Sequence, residues 1–448
     1  MSRFLSIDLG TTLFKFAIFD DRGSLLSLAR VKPPIDHPQP GRWEIPFQRF
    51  RSAVAEGIAE LQQQVGLSEI VAISFATQAN SFVLLDRADE PLSPIILWPD
   101  ERAADFEAEI QQASASADFR VQTGIPSLSH QFAVAKLLHL RKEKPGLFRQ
   151  SSRLFFISDL LSYLFTRQHV TEAGMAALSG AVDIRTLTWR RDALSLFGLD
   201  QLTLPKIVRA GTDLGVIDPG IATEFGLPAD CRFVVGCLDQ YAGMIGTGSV
   251  SPGALSETTG TVLAAVRCTH HVRSDSPPDV FAGPSFDPDL FYEMSFSSTS
   301  ANLLEHYRNT LPDRPEFTEL TALAESATSG DCIIEPFQAG QTIENSFRNV
   351  TASHSRGQIV RAIMECVARQ CAAQIRSLCG SDLPPRVNSA GGGARSALWL
   401  KIKSETLGVP FVATACEEPT SLGAAMLAAS AIGGKRLDEL AKTWVRTA

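Results

Sequence analysis

A short turn built from glycine and threonine occurs twice in this 448-residue chain and has the clearest chemical meaning of any pattern in it. It reads Ile-Asp-Leu-Gly-Thr-Thr at residues 7–12 and Glu-Thr-Thr-Gly-Thr at residues 257–261. Glycine lets backbone N–H groups approach an anion, threonine hydroxyls add donors, and an aspartate such as Asp8 can hold a cation beside phosphate oxygens. One such turn is ordinary hairpin chemistry, but two of them, one in each half, predict a phosphate clamp.

A third glycine-rich segment, Ser-Ala-Gly-Gly-Gly-Ala-Arg-Ser at residues 389–396, leads into a helical pattern that ends at Gly408. A glycine-rich turn at a helix N-terminus accepts phosphate, or lets a nucleotide ring lie against bare backbone. No Walker A pattern occurs in the chain, and this segment lacks the third glycine of a dinucleotide fingerprint. The missing dinucleotide fingerprint disfavours a dehydrogenase.

Asp239 stands directly after an apolar strand pattern, in the segment Gly-Cys-Leu-Asp-Gln-Tyr-Ala-Gly at residues 236–243. An ionised carboxylate at that position can take the proton of a substrate hydroxyl as the hydroxyl attacks a phosphoryl group. Aspartate is also a favoured helix N-cap, and a helical stretch follows. Taken alone, the residue is better explained as a cap.

The bulk composition excludes several classes of protein. A chain of this length predicts two or three domains, and 44% hydrophobic with 20% charged residues is typical of a globular protein. A formal net charge of -8 without a basic run argues against a nucleic-acid surface. No signal-peptide pattern or C-x-x-C pair occurs, and the apolar stretch at residues 422–432 predicts a buried helix. We therefore expect a cytoplasmic protein with reduced thiols and no nucleic-acid or membrane partner.

Strand and helix patterns alternate along the chain, which predicts α/β layers. We expect strands at residues 71–75, 81–85, 94–98 and 233–235, and helices at residues 47–65, around Glu107, at 133–140 and at 358–378. Three glycines within residues 243–248 predict a hinge. We therefore expect an N-terminal domain over residues 1–246 and a C-terminal domain over residues 247–448.

Together these motifs resemble the FGGY family of carbohydrate kinases, in the actin-like ATPase superfamily, over essentially the whole chain. The family combines Asp-x-Gly-Thr-Thr, a catalytic aspartate in Gly-x-x-Asp, a second Gly-Thr turn and Gly-Gly-Gly-Ala, and all four occur here in that order. Looser matches lie at residues 40–44, 97–102, 361–365 and 421–425. The resemblance implies an α/β fold of two actin-like, ribonuclease H-like domains, with ATP and sugar meeting in an interdomain cleft.

The resemblance also implies roles for particular residues. Asp239 would be the catalytic base, and Asp8 would position Mg²⁺ through water. The residues implied to contact ATP are Thr11, Thr12, Lys15, Gly260, Thr261, Gly392, Gly393 and Ala394. Because Lys15 lies in an otherwise apolar strand, where an unpartnered ammonium costs on the order of several kcal/mol, a phosphate partner makes physical sense for it.

The residues implied to contact the substrate are Gln78, Ala79, Asn80, Trp98, Asp239 and Gln240. Residues 78–80 read Gln-Ala-Asn, whereas xylulose kinases look like Gln-Met-His and glycerol kinases like Gln-Arg-Glu, so the pocket should differ from both. Ala79 leaves space for a longer sugar or for His130 and Gln131, and Asn80 offers an uncharged donor and acceptor. Trp98 is equally well explained as a core aromatic, and Arg102 as a surface ion-pair partner.

We therefore interpret the chain as an ATP- and Mg²⁺-dependent kinase of a small sugar or polyol, with a ketopentose of the xylulose or ribulose type as first choice. A glycerol or deoxysugar kinase is the runner-up. An inactive actin-like sensor of nucleotide or sugar is the alternative from another class, although a sensor has no need of a base such as Asp239. The sequence leaves a homodimer open.

Overall fold

The computed structural model describes residues 2–273, 275–337 and 341–447. The strands of the described residues are β1 (Arg3–Leu9), β2 (Phe14–Phe19), β3 (Leu25–Val31), β4 (Glu44–Ile45), β5 (Ile70–Thr77), β6 (Phe82–Leu85), β7 (Ile95–Ile96), β8 (Arg153–Phe156), β9 (Val170–Glu172), β10 (Val182–Asp183), β11 (Thr188–Trp189), β12 (Lys206–Val208), β13 (Asp213–Val216), β14 (Arg232–Val234), β15 (Cys237–Leu238), β16 (Leu255–Thr259), β17 (Leu263–Thr269), β18 (Phe281–Pro284), β19 (Phe291–Ser297), β20 (Val387–Ala390) and β21 (Phe411–Ala413). The helices are α1 (Phe47–Val65), α2 (Glu107–Ala113), α3 (Ala117–Thr123), α4 (Ala133–Glu143), α5 (Pro145–Gln150), α6 (Ile157–Thr166), α7 (Ala173–Ala177), α8 (Arg191–Phe197), α9 (Pro219–Phe225), α10 (Asp239–Gly246), α11 (Asn302–Thr310), α12 (Phe317–Glu325), α13 (Arg356–Cys379), α14 (Ala397–Leu407), α15 (Pro419–Gly433) and α16 (Leu437–Trp444).

The two central sheets share one strand order. In the N-terminal sheet the antiparallel meander β3-β2-β1 continues into the parallel strand β5, beside which β14 and β15 lie. In the C-terminal sheet the meander β19-β17-β16 continues into the parallel strands β20 and β21. This repeat confirms the predicted α/β fold of two ribonuclease H-like, actin-like domains. Strand β7 of a smaller sheet, β4-β7-β6-β8, leads into the loop that carries Trp98.

The N-terminal sheet is covered on both faces, so its central strands are nearly continuous apolar runs. One face packs on α1, where Phe50, Val54, Ile58 and Leu61 recur at helical spacing and are buried. The other face packs on α15, the buried helix that contains the predicted apolar stretch. Within the described residues, no helix is long and apolar enough to span a membrane.

Two helices cross between the halves of the molecule. Helix α10 follows the N-terminal strand β15 but packs on β16 and β17, whereas α15 follows the C-terminal strand β21 but packs on β1, β2 and β5. Glycine makes this crossing close: a Cβ at Gly246 would lie 1.8 Å from the carbonyl oxygen of Pro419, and one at Gly423 would lie 1.9 Å from that of Ala242. The structure thus gives Gly246 a packing role inside a helix, where the sequence predicted a hinge.

Hydrogen bonds at the element ends explain two differences between the predicted and the observed bounds. Helix α13 starts two residues earlier than predicted because Ser355 and Gln358 form a capping box. The strand predicted at residues 94–98 is shortened to Ile95–Ile96. Beyond it, the backbone N–H of Trp98 donates to the hydroxyl of Ser81 and is not available to a neighbouring strand.

Candidate active site

Three parallel strands of the N-terminal sheet end side by side where the predicted site residues lie. Leu9 at the end of β1 pairs with Thr77 of β5, and Leu238 of β15 pairs with the same residue from the other side. Residues 10–12, 78–80 and 239–240 follow these strand ends. In α/β sheets, ligands bind outside the carboxyl ends of the strands. The structure therefore brings the first phosphate turn, the predicted sugar segment and Asp239 to one edge.

Trp98 joins the sugar segment to the first phosphate turn through an ordered set of hydrogen bonds. Its indole Nε1 donates to Thr11 Oγ1 at 2.8 Å, and its backbone N–H donates to Ser81 Oγ at 3.0 Å. Both hydroxyls in turn donate to Oε1 of Gln78, from Ser81 at 3.0 Å and from Thr11 at 3.4 Å. Because each hydroxyl already accepts from Trp98, its own proton is free for Gln78, and this orients the Gln78 amide.

Two amide groups at this edge have atoms that the protein does not satisfy. Gln78 is 3% exposed, and its Nε2 has no hydrogen-bond partner among the described residues. The same holds for the buried Oε1 of Gln240. Leaving such a group unpaired costs about 1–3 kcal/mol. A free donor on Gln78 and a free acceptor on Gln240 therefore suit a ligand rich in hydroxyl groups.

Asn80 has a structural task that sequence reasoning missed. Its backbone φ of 59° lies in the left-handed region, which asparagine tolerates better than most residues. Its Oδ1 accepts the N–H of Ala133 at 3.1 Å and so satisfies the first turn of α4. Ala79 packs against the apolar core. His130, a candidate to fill the space near Ala79, places its Nδ1 2.8 Å from Glu107.

Arg102 forms a buried ion pair, so the surface ion pair considered from the sequence is wrong. Its Nε lies 2.6 Å from Asp100 Oδ1, and its Nη2 lies 2.6 Å from Glu44 Oε1. Burial would raise the pKa of Asp100, but the Arg102 guanidinium and the backbone N–H of Trp43 hold that pKa below its ordinary value. The network braces the loop that begins at Trp98.

Lys136 holds the same loop from α4. Its ammonium is buried and donates to the carbonyl oxygens of Leu97 at 3.0 Å, Trp98 at 2.7 Å and Gln131 at 2.8 Å. All three of its donors are therefore used by backbone. Burial lowers the pKa of Lys136 to about 7. Sequence reasoning did not identify this residue, which looks like an ordinary lysine in a helical stretch.

Lys15 has protein partners, so its position in an apolar strand does not by itself call for a phosphate. Its Nζ lies 2.7 Å from Glu418 Oε2 and 3.7 Å from Asp8 Oδ2. The other oxygen of Glu418 lies 2.8 Å from Nη2 of Arg30. Glu418 immediately precedes α15, so this cluster joins the two halves of the molecule. No local signal reveals Glu418, because it is 403 residues away from Lys15 in the chain.

Asp239 is the first residue of α10, and Leu238 occupies the N-cap position. Asp239 is therefore not the N-cap considered from the sequence, and Leu238 forms no side-chain hydrogen bond in that position. One carboxylate oxygen of Asp239 accepts the N–H of Gln240 at 2.7 Å, and the residue is partly exposed. Its other oxygen is available to a substrate hydroxyl.

Asp8 and Asp239 are both carboxylates, and the negative charge of Asp8 repels that of Asp239. Burial raises the pKa of Asp8 to about 6, although Lys15 acts against the shift. Burial also raises the pKa of Asp239 to about 7, and the charge of Asp8 adds to it. A divalent cation beside Asp8 would lower the pKa of Asp8 and cancel its repulsion of Asp239, whereas the burial that chiefly raises the pKa of Asp239 would remain. The described residues form no cluster of three or more histidine, cysteine, aspartate or glutamate side chains that could hold a metal ion.

The C-terminal sheet repeats the layout of the N-terminal one. Strands β16 and β20 are parallel neighbours, and they lead into residues 260–261 and 391–394. The glycine-rich loop lies directly on Thr259: a Cβ at Gly391 would be 2.7 Å from its carbonyl oxygen, and one at Gly393 would be 2.7 Å from its Cβ. The structure thus brings the second phosphate turn together with the predicted adenosine segment.

Comparison with known proteins gives matches over almost the entire chain. The N-terminal domain of the FGGY family of carbohydrate kinases matches residues 3–246, and the C-terminal domain of that family matches residues 255–432. A xylulose kinase of Staphylococcus epidermidis is 25% identical over 444 residues, covering 96% of this chain and 88% of that protein. A gluconokinase of Bacillus subtilis is 23% identical over 455 residues, with the same coverage of 96% and 88%. The crystal structure of Plasmodium falciparum glycerol kinase with ADP is similar with a TM-score of 0.85 at 20% identity, covering 100% of this chain and 93% of that chain.

Fold and site together define a two-domain kinase of the actin-like type, with one glycine-threonine turn in each domain. The chain belongs to the FGGY family of carbohydrate kinases, as the motifs predicted, and this family uses ATP as its phosphate donor. It is therefore a sugar kinase. The similar proteins carry the names of xylulose, gluconate and glycerol kinases, so the names alone do not identify a substrate.

Proposed function

We propose that this kinase phosphorylates a hydroxyl group of a ketopentose of the xylulose or ribulose type, with Mg²⁺-ATP as the donor. The observation that carries the proposal is the pair of unsatisfied, uncharged amide atoms on Gln78 and Gln240, at the sheet edge that also carries Asp239. A neutral polyhydroxylated ligand supplies an acceptor for one amide and a donor for the other. The similarity to a xylulose kinase supports the same substrate class.

Two cations beside the Trp98 loop, Arg102 and Lys136, are already engaged within the protein and are not available to the carboxylate of a sugar acid such as gluconate. A carboxylate substrate calls for a cation with free donors. Arg102 is already paired with Asp100 and Glu44, and the ammonium of Lys136 is fully used by backbone carbonyls.

In this proposal Asp239 is the general base. A carboxylate with a pKa near 7 is a stronger base than an ordinary aspartate, yet it is substantially ionised at neutral pH. It takes the proton of the attacking hydroxyl, while Gln78 and Gln240 hold the sugar. Asp8 is the residue that would hold Mg²⁺, which when bound neutralises charge on the phosphate oxygens.

The two halves of the molecule would hold the two ends of ATP. Thr11, Thr12 and Lys15 contact the terminal phosphates from the N-terminal half, in this proposal. Gly260 and Thr261 contact them from the C-terminal half, where Thr261 is exposed. Gly392, Gly393 and Ala394 pack along the adenosine, with Gly392 exposed at the surface of the loop. Backbone N–H groups of the two glycine-threonine turns would stabilise the charge on the transferring phosphoryl group.

An acceptor panel tests the proposal. ADP release is measured with saturating Mg²⁺-ATP and with D-xylulose, D-ribulose, D-gluconate, glycerol and 2-deoxy-D-ribose in turn. We expect the highest kcat/KM with one of the two ketopentoses and a raised KM for it in Gln78→Leu. A highest value with gluconate or glycerol would contradict the ketopentose assignment. Tight ATP binding without ADP release for any acceptor would support the sensor alternative.

A further inference from the structure

A buried ion pair lies directly before the second phosphate turn. Lys403 of α14 and Glu257 of β16 are each 0% exposed, and Nζ of Lys403 lies 2.7 Å from Glu257 Oε1. The same ammonium donates to Thr259 Oγ1 at 2.6 Å, and that hydroxyl donates to the second oxygen of Glu257 at 2.8 Å. The three side chains thus form a closed triangle of hydrogen bonds.

Aromatic rings enclose the ammonium of Lys403. It lies 5.7 Å from the ring centre of Trp399 and 5.9 Å from that of Phe411, distances at which a cation is attracted to a ring face. Trp399 is itself fixed, since its Nε1 donates to the carbonyl oxygen of Met364 at 3.0 Å. The triangle therefore links α14 with β16 and lies against β21 and α13.

Thr259 is the residue at which this triangle meets the glycine-rich loop. Its hydroxyl faces Lys403 and Glu257, while its carbonyl oxygen and Cβ lie against Gly391 and Gly393. Residues 260–261, the second phosphate turn, follow it directly. Any shift of Thr259 would move the phosphate turn relative to the loop.

Stability alone does not account for a charged pair at this position. Removing each ion from water costs several kcal/mol, and apolar side chains of similar volume often replace a buried pair without loss of stability. The ion pair adds direction, because charge-assisted hydrogen bonds of this length fix donor and acceptor positions closely.

We propose that Lys403, Glu257 and Thr259 are positioning residues for ATP. They hold the second phosphate turn at a set distance from the glycine-rich loop, so that the two bind the opposite ends of one nucleotide. The inference rests on the proposed nucleotide contacts of residues 260–261 and 392–394. It assigns the triangle no contact with the sugar, so nucleotide and sugar binding should respond differently to its loss.

A matched pair of variants at Thr259 tests the contribution of its hydroxyl group to nucleotide binding. Thr259→Val keeps the shape of the side chain and leaves Lys403 and Glu257 paired, whereas Thr259→Ser keeps the hydroxyl. We expect Thr259→Val to raise the KM for ATP and the Kd for ADP about tenfold, with the KM for the sugar within about twofold of the wild-type value. Thr259→Ser should stay close to the wild type. Equal nucleotide affinity in Thr259→Val and the wild type would overturn the proposal.

A second set of variants separates positioning from stability. Lys403→Met leaves Glu257 as an unpaired buried charge and should lower the midpoint of thermal unfolding, whereas the double variant Lys403→Met/Glu257→Leu should regain most of that loss. We expect the double variant to keep the raised KM for ATP. A double variant with wild-type stability and wild-type KM for ATP would show that the ion pair has only a structural role, and this would overturn the proposal. A wild-type protein without sugar-dependent ADP release would instead contradict the proposed function.

Discussion

At the scale of single residues, the carboxylate of Asp239 links the structure to a pH dependence. Its pKa is raised to about 7, so the base form is lost as the pH falls through neutrality. If Asp239 must be ionised to accept the hydroxyl proton, kcat/KM for the sugar should fall tenfold per pH unit on the acid side, with a midpoint near pH 7. Steady-state kinetics between pH 5 and pH 9, in roughly half-unit steps, measure this profile.

A buried aspartate outside the site serves as the control for this profile. The pKa of Asp159 is also raised to about 7 by burial, and its Oδ2 accepts the N–H of Phe156 at 2.9 Å. Asp159→Asn should therefore keep the acid limb of the wild type. An acid limb that moves in Asp159→Asn, or a midpoint below about pH 5, would be evidence against Asp239 as the titrating base.

The ion pairs of Glu418 predict a difference between two simple variants. Glu418→Gln leaves Lys15, whose side chain is only 26% exposed, without its strongest partner, and we expect it to lower the free energy of unfolding by about 1–2 kcal/mol. Arg30→Gln is the control: because Arg30 is 46% exposed, its ion pair with Glu418 should contribute less than about 1 kcal/mol. Urea denaturation measures both values. Equal losses would mean that Lys15 does not depend on Glu418.

At the scale of elements, the crossing of α10 and α15 leaves no space for side chains at its glycines. A methyl group at Gly246 would meet the backbone of Pro419, so we expect Gly246→Ala to destabilise the protein by about 1–3 kcal/mol or more. Gly433 lies at the end of α15, and a Cβ there would meet no other atom within 4 Å. Gly433→Ala should instead be neutral, or stabilise by up to about 1 kcal/mol through helix propensity.

Thermal unfolding of Gly246→Ala and Gly433→Ala compares the cost of a steric clash between helices with the gain from higher helix propensity. A Gly246→Ala protein as stable as the wild type would show that the two helices can separate at little cost. In that case the hinge predicted from the glycines of residues 243–248 would regain support, since a loosely packed crossing can act as one.

Element patterns were predictable from the sequence where the signal is local. The sequence pattern predicted α1 with the bounds that the structure has, and it placed the first glycine-threonine turn and Asp239 directly after apolar strands, as the structure does. Tertiary partners were not predictable in this way. The capping of α4 by Asn80, the pairing of Lys15 with Glu418 and the pairing of Lys403 with Glu257 join residues that are 53, 403 and 146 positions apart. Their side chains carry no mark of which distant residue they will meet.

At the scale of the whole molecule, the exchange of α10 and α15 couples the two halves. Each helix packs on the sheet of the other half, so a change in the angle between the sheets must move both helices. We propose that the halves, residues 1–246 and 247–448, close on the substrates and exclude water from the transferring phosphate. Small-angle X-ray scattering should show a smaller radius of gyration with sugar and a non-hydrolysable ATP analogue together than with either alone. Identical profiles in all states would contradict closure.

The central claim is that this chain transfers the γ-phosphate of ATP to a sugar hydroxyl through Asp239. The most direct test follows the products by ³¹P NMR, with Mg²⁺-ATP and the best acceptor of the panel, in the wild type and in Asp239→Asn. We expect equal amounts of ADP and sugar phosphate in the wild type, and a rate lower by about 10²–10⁴-fold in the variant with ADP binding retained. ADP accompanied by inorganic phosphate without sugar phosphate, or an Asp239→Asn variant as fast as the wild type, would contradict the claim.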